Sequence, residues 1–296
     1  MQVVESVVKH LINDHVPNGP VNRNDVVAKR LQKIVEDVSI KRDFHEDLEN
    51  NAKIAAYMAA LLDRNCDFTS FQGEHNNVVG SWTENWEDSI LIGGHYDGPT
   101  NSPGADDNGS ALAVLIALAE QLKDHKPKNV VLVAFNGEEY GMIGSKDFAA
   151  HHQVSKAVIL EMVGYYSTEP GSQTMPAGFP KVDRGDFLSI VGNHNSEKIG
   201  KSLLLQASES ALSLPLKEIK VPFGLENKLE SLGNITRSDH SAFWDKGIPA
   251  VMLTDTAEFR NANYHQATDT PDTLDYHAMA EVVRLLKDWI LTQEKK

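Results

Sequence analysis

Three short apolar runs in this chain stop abruptly at residues that bind metals or move protons. Residues 89–94, Ser-Ile-Leu-Ile-Gly-Gly, end at His95. The run from Val130 to Phe135 is followed by Glu138 and Glu139, and residues 157–160 lead straight into Glu161. Runs this short and continuously apolar suit strands of a parallel sheet covered on both faces. Helical patterns at 110–125 and 145–152 separate them, and further strands at 77–82, 187–191 and 248–253 alternate with helices at 196–212 and about 275–292. The expectation is an α/β fold with a mixed, mostly parallel central sheet and helices on both faces. In such sheets ligands bind in the crevice at the carboxyl ends of the strands, so three strands deliver metal-type residues to one edge.

The first 65 residues read as helices. Val3, Val4, Val7, Val8, Leu11 and Ile12 recur at helical spacing, as do Val26, Val27, Leu31, Ile34 and Val35, and residues 47–64 form a third such segment. With no internal repeat or low-complexity linker, the 296 residues are expected to form one domain, 1–65 being a helical part packed on it. Residues 167–184 and 222–238 read as long loops, of the kind that line or cover a site.

Composition narrows the partners. Against 28 basic residues stand 42 acidic ones, a formal charge of -14 that repels nucleic acid and anionic membrane. Cys66 is the single cysteine, which excludes an intrachain disulfide and leaves N and O ligands for any metal. No apolar run reaches membrane-spanning length, and the first residues lack a signal peptide's basic, apolar and small-residue regions. A cytoplasmic location is the expectation, or a secreted one if a signal peptide has been removed.

Each motif has a plain reading as well as a chemical one. His95-Tyr96-Asp97 could be a polar cap and a turn; alternatively His95 binds metal while Asp97 accepts its other ring N–H. Asp106-Asp107-Asn108-Gly109-Ser110 has the composition of a turn or helix cap, yet a carboxylate at a helix start stays ionised and can bridge two cations. Glu138 and Glu139, if extended, point in opposite directions, so that one binds metal while the other faces substrate. Glu161 lies in an apolar run where a carboxylate is costly unless paired or metal-bound. His265 means little alone among 12 histidines. The cluster Arg237-Ser238-Asp239-His240 reads as support, and His151, His152, His194 and His277 as surface or core residues.

Taken in order, His95-X-Asp97, Gly104-Ala105-Asp106-Asp107, Glu138-Glu139, the acid at 161, Ser238-Asp239-His240 and Tyr264-His265 resemble the co-catalytic zinc aminopeptidases. That family includes bacterial leucine aminopeptidases and aminopeptidase Y, with glutaminyl cyclases and glutamate carboxypeptidase II as distant relatives. The resemblance covers residue 77 to the C-terminus and implies a zinc-peptidase-like three-layer sandwich with two zinc ions per chain. It implies that Asp107, with Asp106 as fallback, bridges the metals, that His95 and Glu161 complete one site and that Glu139 and His265 complete the other. Glu138 would be the general base acting on a metal-bridging water, Asp97 the partner of His95, and Tyr264 a stabiliser of the tetrahedral intermediate. The implied substrates are peptides with a free N-terminus. Two departures stand out: many members have Asp where this chain has Glu161, and no cysteine pair is present.

Rival readings start from the same residues. A glutaminyl cyclase would use a similar shell with one zinc, but the continuation Tyr140-Gly141-Met142-Ile143-Gly144-Ser145 resembles the peptidases more. A carboxypeptidase would differ only in pocket residues outside the motifs. Relatives with an inserted lid domain need more room than the interval between Glu161 and His265 leaves beside its own strands and helix. A catalytically silent binding protein would have lost ligands, whereas every ligand position here holds a metal-capable side chain.

Overall fold

The computed structural model describes residues 12–15, 25–175, 179, 181–221 and 233–293. Within them lie nine strands: β1 (Ile12–His15), β2 (Phe68–Gln72), β3 (Asn77–Ser81), β4 (Ile90–His95), β5 (Val130–Phe135), β6 (Lys156–Glu161), β7 (Leu188–Asn193), β8 (Leu216–Val221) and β9 (Ala250–Thr254). They join in one sheet in the order β1-β8-β7-β9-β6-β4-β5-β3-β2. The four central strands, β9, β6, β4 and β5, run parallel, while β3 and β7 flank them antiparallel. The sheet is therefore mixed and mostly parallel, as the alternation of runs predicts.

Alternate residues of the central runs serve different faces. Ile90, Ile92, Leu132, Val158, Leu160 and Leu253 pack in the larger core, and Leu91, Val131, Val133, Ile159 and Ala250 pack in the core on the other face. Burial on both sides explains why these strands are apolar without alternation. The larger core is covered by α1 (Asp25–Val38), α2 (Leu48–Asp63), α3 (Gly109–Leu122), α5 (Glu197–Glu209) and α7 (Tyr276–Gln293). The opposite face carries α4 (Ile143–His151) and the short α6 (His240–Trp244).

Helix α3 is buried on nearly every side because α1 and α7 pack over it while its other flank meets β4. Each of its enclosed Leu, Ile and Val side chains contributes about 1.5–3 kcal/mol of burial. That fixes the start of α3, the end that faces the carboxyl edge of the sheet. Among the described residues, no helix is long and apolar enough to cross a membrane.

Two expectations need correction. Ile12 belongs to a strand rather than a helix: residues 12–15 pair antiparallel with β8, with Ile12 opposite Ile219 and His15 opposite Leu216. The open edge of β8 supplies backbone partners that a weak helical periodicity cannot offset. The rest of that helix reading, Val3 to Leu11, lies outside the described residues. Strands β2 and β8 went unrecognised because neither carries an unbroken apolar run; β2 is a largely exposed edge strand, and β8 interleaves Leu216, Ile219 and Val221 with Lys and Glu.

At the start of α6, His240 is fully buried, its Nε2 lies 2.7 Å from the Ile235 carbonyl, and its ring meets Trp244 edge-on. Nε2–H donates to that carbonyl, and Nδ1 has no hydrogen-bond partner. Burial accordingly pulls its pKa down to about 4. The unfolded chain takes up a proton near 6.5 that the folded chain refuses until about 4. Folding stability should therefore drop as pH falls across that window. Urea midpoints measured through it should fall more steeply for the native chain than for His240→Gln; equal slopes would exclude His240 as the cause.

Candidate metal centre

The site is assembled where β4, β5 and β6 end side by side. His95 closes β4 opposite Phe135, the last residue of β5, and Glu161 closes β6. The chain beyond β5 makes a turn rather than continuing extended, so Glu138 and Glu139 do not diverge: both line the same cavity. That corrects the expectation of opposite-facing side chains. The amide N–H groups of the turn explain its shape, since those of Glu138 and Glu139 donate to the two carboxylate oxygens of Asp97, each at 3.2 Å. The base of the turn is held by Asn77, which accepts from the amide of Asn136 and donates to the Gly144 carbonyl. A side chain at position 144 would strike Asn77 Oδ1 and the Asn136 backbone, which reserves the place for glycine.

Asp97 thus does more than the sequence suggests. His95 Nδ1 lies 3.2 Å from the Asp97 carbonyl oxygen and 3.4 Å from its Oδ1, so one residue orients the imidazole and anchors the glutamate turn. The ring's other nitrogen, Nε2, points at Asp107 Oδ1 (3.4 Å) and Glu161 Oε2 (3.5 Å). Across the cleft His265 Nε2 lies 3.1 Å from Asp107 Oδ2 and 3.5 Å from Glu139 Oε2. Asp107 therefore faces a different histidine with each oxygen. Three trios result among the described residues, His95–Asp107–Glu161, Asp107–Glu139–His265 and His95–Glu138–Glu139, the first two sharing Asp107.

Asp106 is turned elsewhere. Its oxygens accept from the Gly164 amide and from Asn261, each bond under 3 Å, and burial beside Asp255 pushes its carboxyl well above the usual range. Asp269 receives the amides of Asp106 and Asp107 and sets the turn that aims Asp107 into the cleft. Asn108 accepts from the Met162 amide and donates to the Leu160 carbonyl, tying that turn to the end of β6. Ser238 donates to Glu161 Oε2 at 2.6 Å, giving the Ser238-Asp239-His240 run its supporting place.

Charge is crowded here. Burial drives Glu138 well above the ordinary carboxylate range, and Glu161, Asp239 and Glu139 add to the push against His95. Glu139 is raised in the same way, by burial and then by Asp107. Burial would raise Asp107 too, but His265 and His95 outweigh it and hold that carboxyl well below its usual value. For a divalent cation the residues fit. His95 Nε2 and Glu139 Oε1 are buried without a hydrogen-bond partner. With zinc–ligand bonds of about 2.0–2.2 Å, tetrahedral ligand atoms stand about 3.3–3.6 Å apart. The histidine–carboxylate separations, 3.1 to 3.5 Å, lie close to that range, and all ligand atoms of a trio lie within 4.8 Å of one another.

A cavity of about 410 Å³ opens from this edge of the sheet. Met175, Phe179, Val191, Ile219, Ile235 and Met252 make it apolar away from the acids. Of the two expected long loops, residues 175 and 179 and residues 234–238 contribute to its wall, while 176–178, 180 and 222–232 lie outside the described residues. Tyr264 and Arg237 stand at its polar side.

Sequence reasoning missed Arg42, in the helical N-terminal part where no motif was seen. Its buried guanidinium donates to the carbonyls of Tyr96, Val38, Pro103 and Gly104, so it clamps both ends of the loop that carries Asp97 and approaches Asp107. Gly104 has φ +62°, and a Cβ there would strike the Asp107 carbonyl and both Arg42 nitrogens. A lone arginine between helices gives no sequence signal for this role.

A three-layer α/β sandwich with acids and histidines grouped at its parallel carboxyl edge has the makings of a metal site. Residues 77–290 match peptidase family M28, and the chain belongs to that family, which makes it a zinc metallopeptidase by descent. Over 235 residues it is 36% identical to the uncharacterized protein YfbL of Escherichia coli strain K12, spanning 71% of this chain and 69% of that one. It is 26% identical to the probable lipoprotein aminopeptidase LpqL of Mycobacterium tuberculosis, across 69% of this chain but 42% of that longer protein. Among solved structures, BSAP, a zinc aminopeptidase from Bacillus subtilis, superposes with TM-score 0.56 at 22% identity, covering 73% of this chain and 49% of that one. A glutaminyl cyclase from Bacteroides thetaiotaomicron superposes with TM-score 0.65 at 14% identity, covering 92% and 99%. At such identities these likenesses show the fold.

Replacing Arg42 by Met should leave several buried carbonyls without donors, each costing about 1–3 kcal/mol. Urea unfolding of the Arg42→Met chain should show a loss of at least about 3 kcal/mol. A loss below about 1 kcal/mol would mean that the loop does not depend on this clamp.

Proposed function

We propose that this chain is an aminopeptidase that holds two zinc ions and releases N-terminal residues from peptides. The observation that carries the reading is Asp107, whose Oδ1 faces His95 at 3.4 Å while Oδ2 faces His265 at 3.1 Å. A carboxylate placed between two such donor sets is suited to bridging two cations. His95 and Glu161 would complete one site, Glu139 and His265 the other. Residues 25–63 would belong to the same single domain, because Arg42 reaches into the loop that shapes the site.

Bound zinc supplies Lewis acidity, lowering the pKa of a water and polarising the scissile carbonyl. Glu138 takes up a proton in the attack and returns it to the departing amine. Of the adjacent pair it is the acid outside the two trios that share Asp107, and it lies within reach of His95 and Glu139, with which it forms the third. Burial raises its proton affinity, as suits a group that must accept a proton and hold it briefly. Tyr264, on the cavity wall beside His265, donates its hydroxyl to the oxygen that gains charge. Asp97 keeps His95 and the glutamate turn in register.

The same charges support a free amine at the substrate's end. Acids outnumber Arg237 on the cavity wall, and a carboxylate oxygen there that is not committed to metal can accept from an ammonium group. The apolar wall beyond accommodates the first side chain.

Glu138→Gln should retain zinc and lower kcat by about 10²–10⁴-fold, the range of a general acid–base residue; near-native turnover would remove Glu138 from the chemistry. Atomic absorption on the zinc-loaded chain should give two ions, and a single ion would refute the bridge. In a peptide panel, free N-termini should be cleaved and N-acetylated ones spared. Equal cleavage of both would exclude an aminopeptidase, and ring closure of N-terminal glutamine without hydrolysis would favour a cyclase.

A further inference from the structure

Arg237 stands immediately before Ser238, the residue that donates to Glu161, and reaches to the other side of the cleft. Its guanidinium donates to Tyr264 Oη at 2.7 Å, to Glu258 Oε1 at 2.7 Å and to Asn234 Oδ1 at 3.1 Å. A guanidinium has donors only, so the tyrosine oxygen must be the acceptor in this contact. The phenol's one proton is then free to point away from Arg237. Among the described residues, the hydroxyl donates to none.

The tyrosine is held on its other flank as well. Its ring lies 3.8 Å from that of His265, tilted by 30°. Glu258 shares the fork of the guanidinium, so Arg237 is already paired and is not waiting for a substrate carboxylate.

We propose that Arg237 is a positioning residue: by donating to Tyr264 Oη it fixes the phenol as a hydrogen-bond donor toward the reacting carbonyl. The inference rests on the role given to Tyr264 in the proposed function. It assigns to Arg237 an effect transmitted through Tyr264 and not a contact with substrate.

A double-mutant cycle on the zinc-loaded full chain tests it, using an aminoacyl 4-nitroanilide with a free amine and, by calorimetry, an aminoalkyl boronic acid that mimics the tetrahedral state. Arg237→Gln should lower kcat and boronate affinity about tenfold each, with KM within about twofold and zinc content unchanged. On a Tyr264→Phe background the same substitution should have little further effect, and Arg237→Lys should recover part of the loss. An equal loss on both backgrounds, a rise in KM alone, or loss of zinc from Arg237→Gln would each overturn the proposal. Failure of the aminopeptidase reading looks different: the native chain itself would neither turn over the anilide nor bind the boronate.

Discussion

Four carboxylates, Asp107, Glu138, Glu139 and Glu161, share one cleft at the edge of an apolar sheet, and the structure around them answers that crowding. Like charges at such distances in a poorly solvated site oppose one another strongly. Two imidazoles and a buried arginine are too little positive charge to balance them, and the upward push on Glu138 and Glu139 expresses the deficit. The proposed divalent cations would relieve it. The proposed metal centre would then be the condition under which this arrangement of acids is stable, with the supporting network keeping the acids from relaxing apart.

That network is built mostly from main-chain groups. Asp97 accepts the amides of Glu138 and Glu139, Asp269 accepts those of Asp106 and Asp107, and Arg42 collects carbonyls from the loop between them. Three of the four carboxylates that enter the cleft, Asp107, Glu138 and Glu139, have their backbone amides held by another carboxylate. Helix α3, enclosed by α1 and α7, and the parallel strands beneath supply the rigid base for these turns. Short loops on rigid elements can hold ligand atoms to within a few tenths of an ångström, as metal binding demands.

Legibility in the sequence followed the same division. Ligand-type residues at strand ends were readable because apolar runs reveal strands, and strand ends in parallel sheets converge. The proposal of Asp107 rather than Asp106 rests on the motif; Asp106 accepts from Gly164 and Asn261 while Asp107 faces both histidines. Arg42 and Asp269 were not readable, since their work is done through distant backbone groups that no local pattern encodes. The divergence expected for Glu138 and Glu139 was misjudged for a related reason: it presumed an extended backbone, whereas contacts with Asp97 and Asn77 bend it into a turn. Strand β1 was hidden because its identity depends on the free edge of β8 and not on its own residues.

The two histidines of the centre differ in a way that bears on how substrate reaches it. His95 is enclosed at the end of a central strand, with its side chain 1% exposed, whereas His265 sits on a loop with φ +58° and a side chain 39% exposed. The His95 side is fixed by the sheet, and the His265 side opens toward solvent and the cavity. A loop ligand in the left-handed region is held by its neighbours more than by its own backbone preference. Tyr264 stacked against it, and Arg237 bonded to that tyrosine, are the neighbours the structure provides. The open side of the cleft is thus ordered by the same residues proposed to meet the substrate's carbonyl, so that fixing His265 and fixing the proposed donor become one structural task.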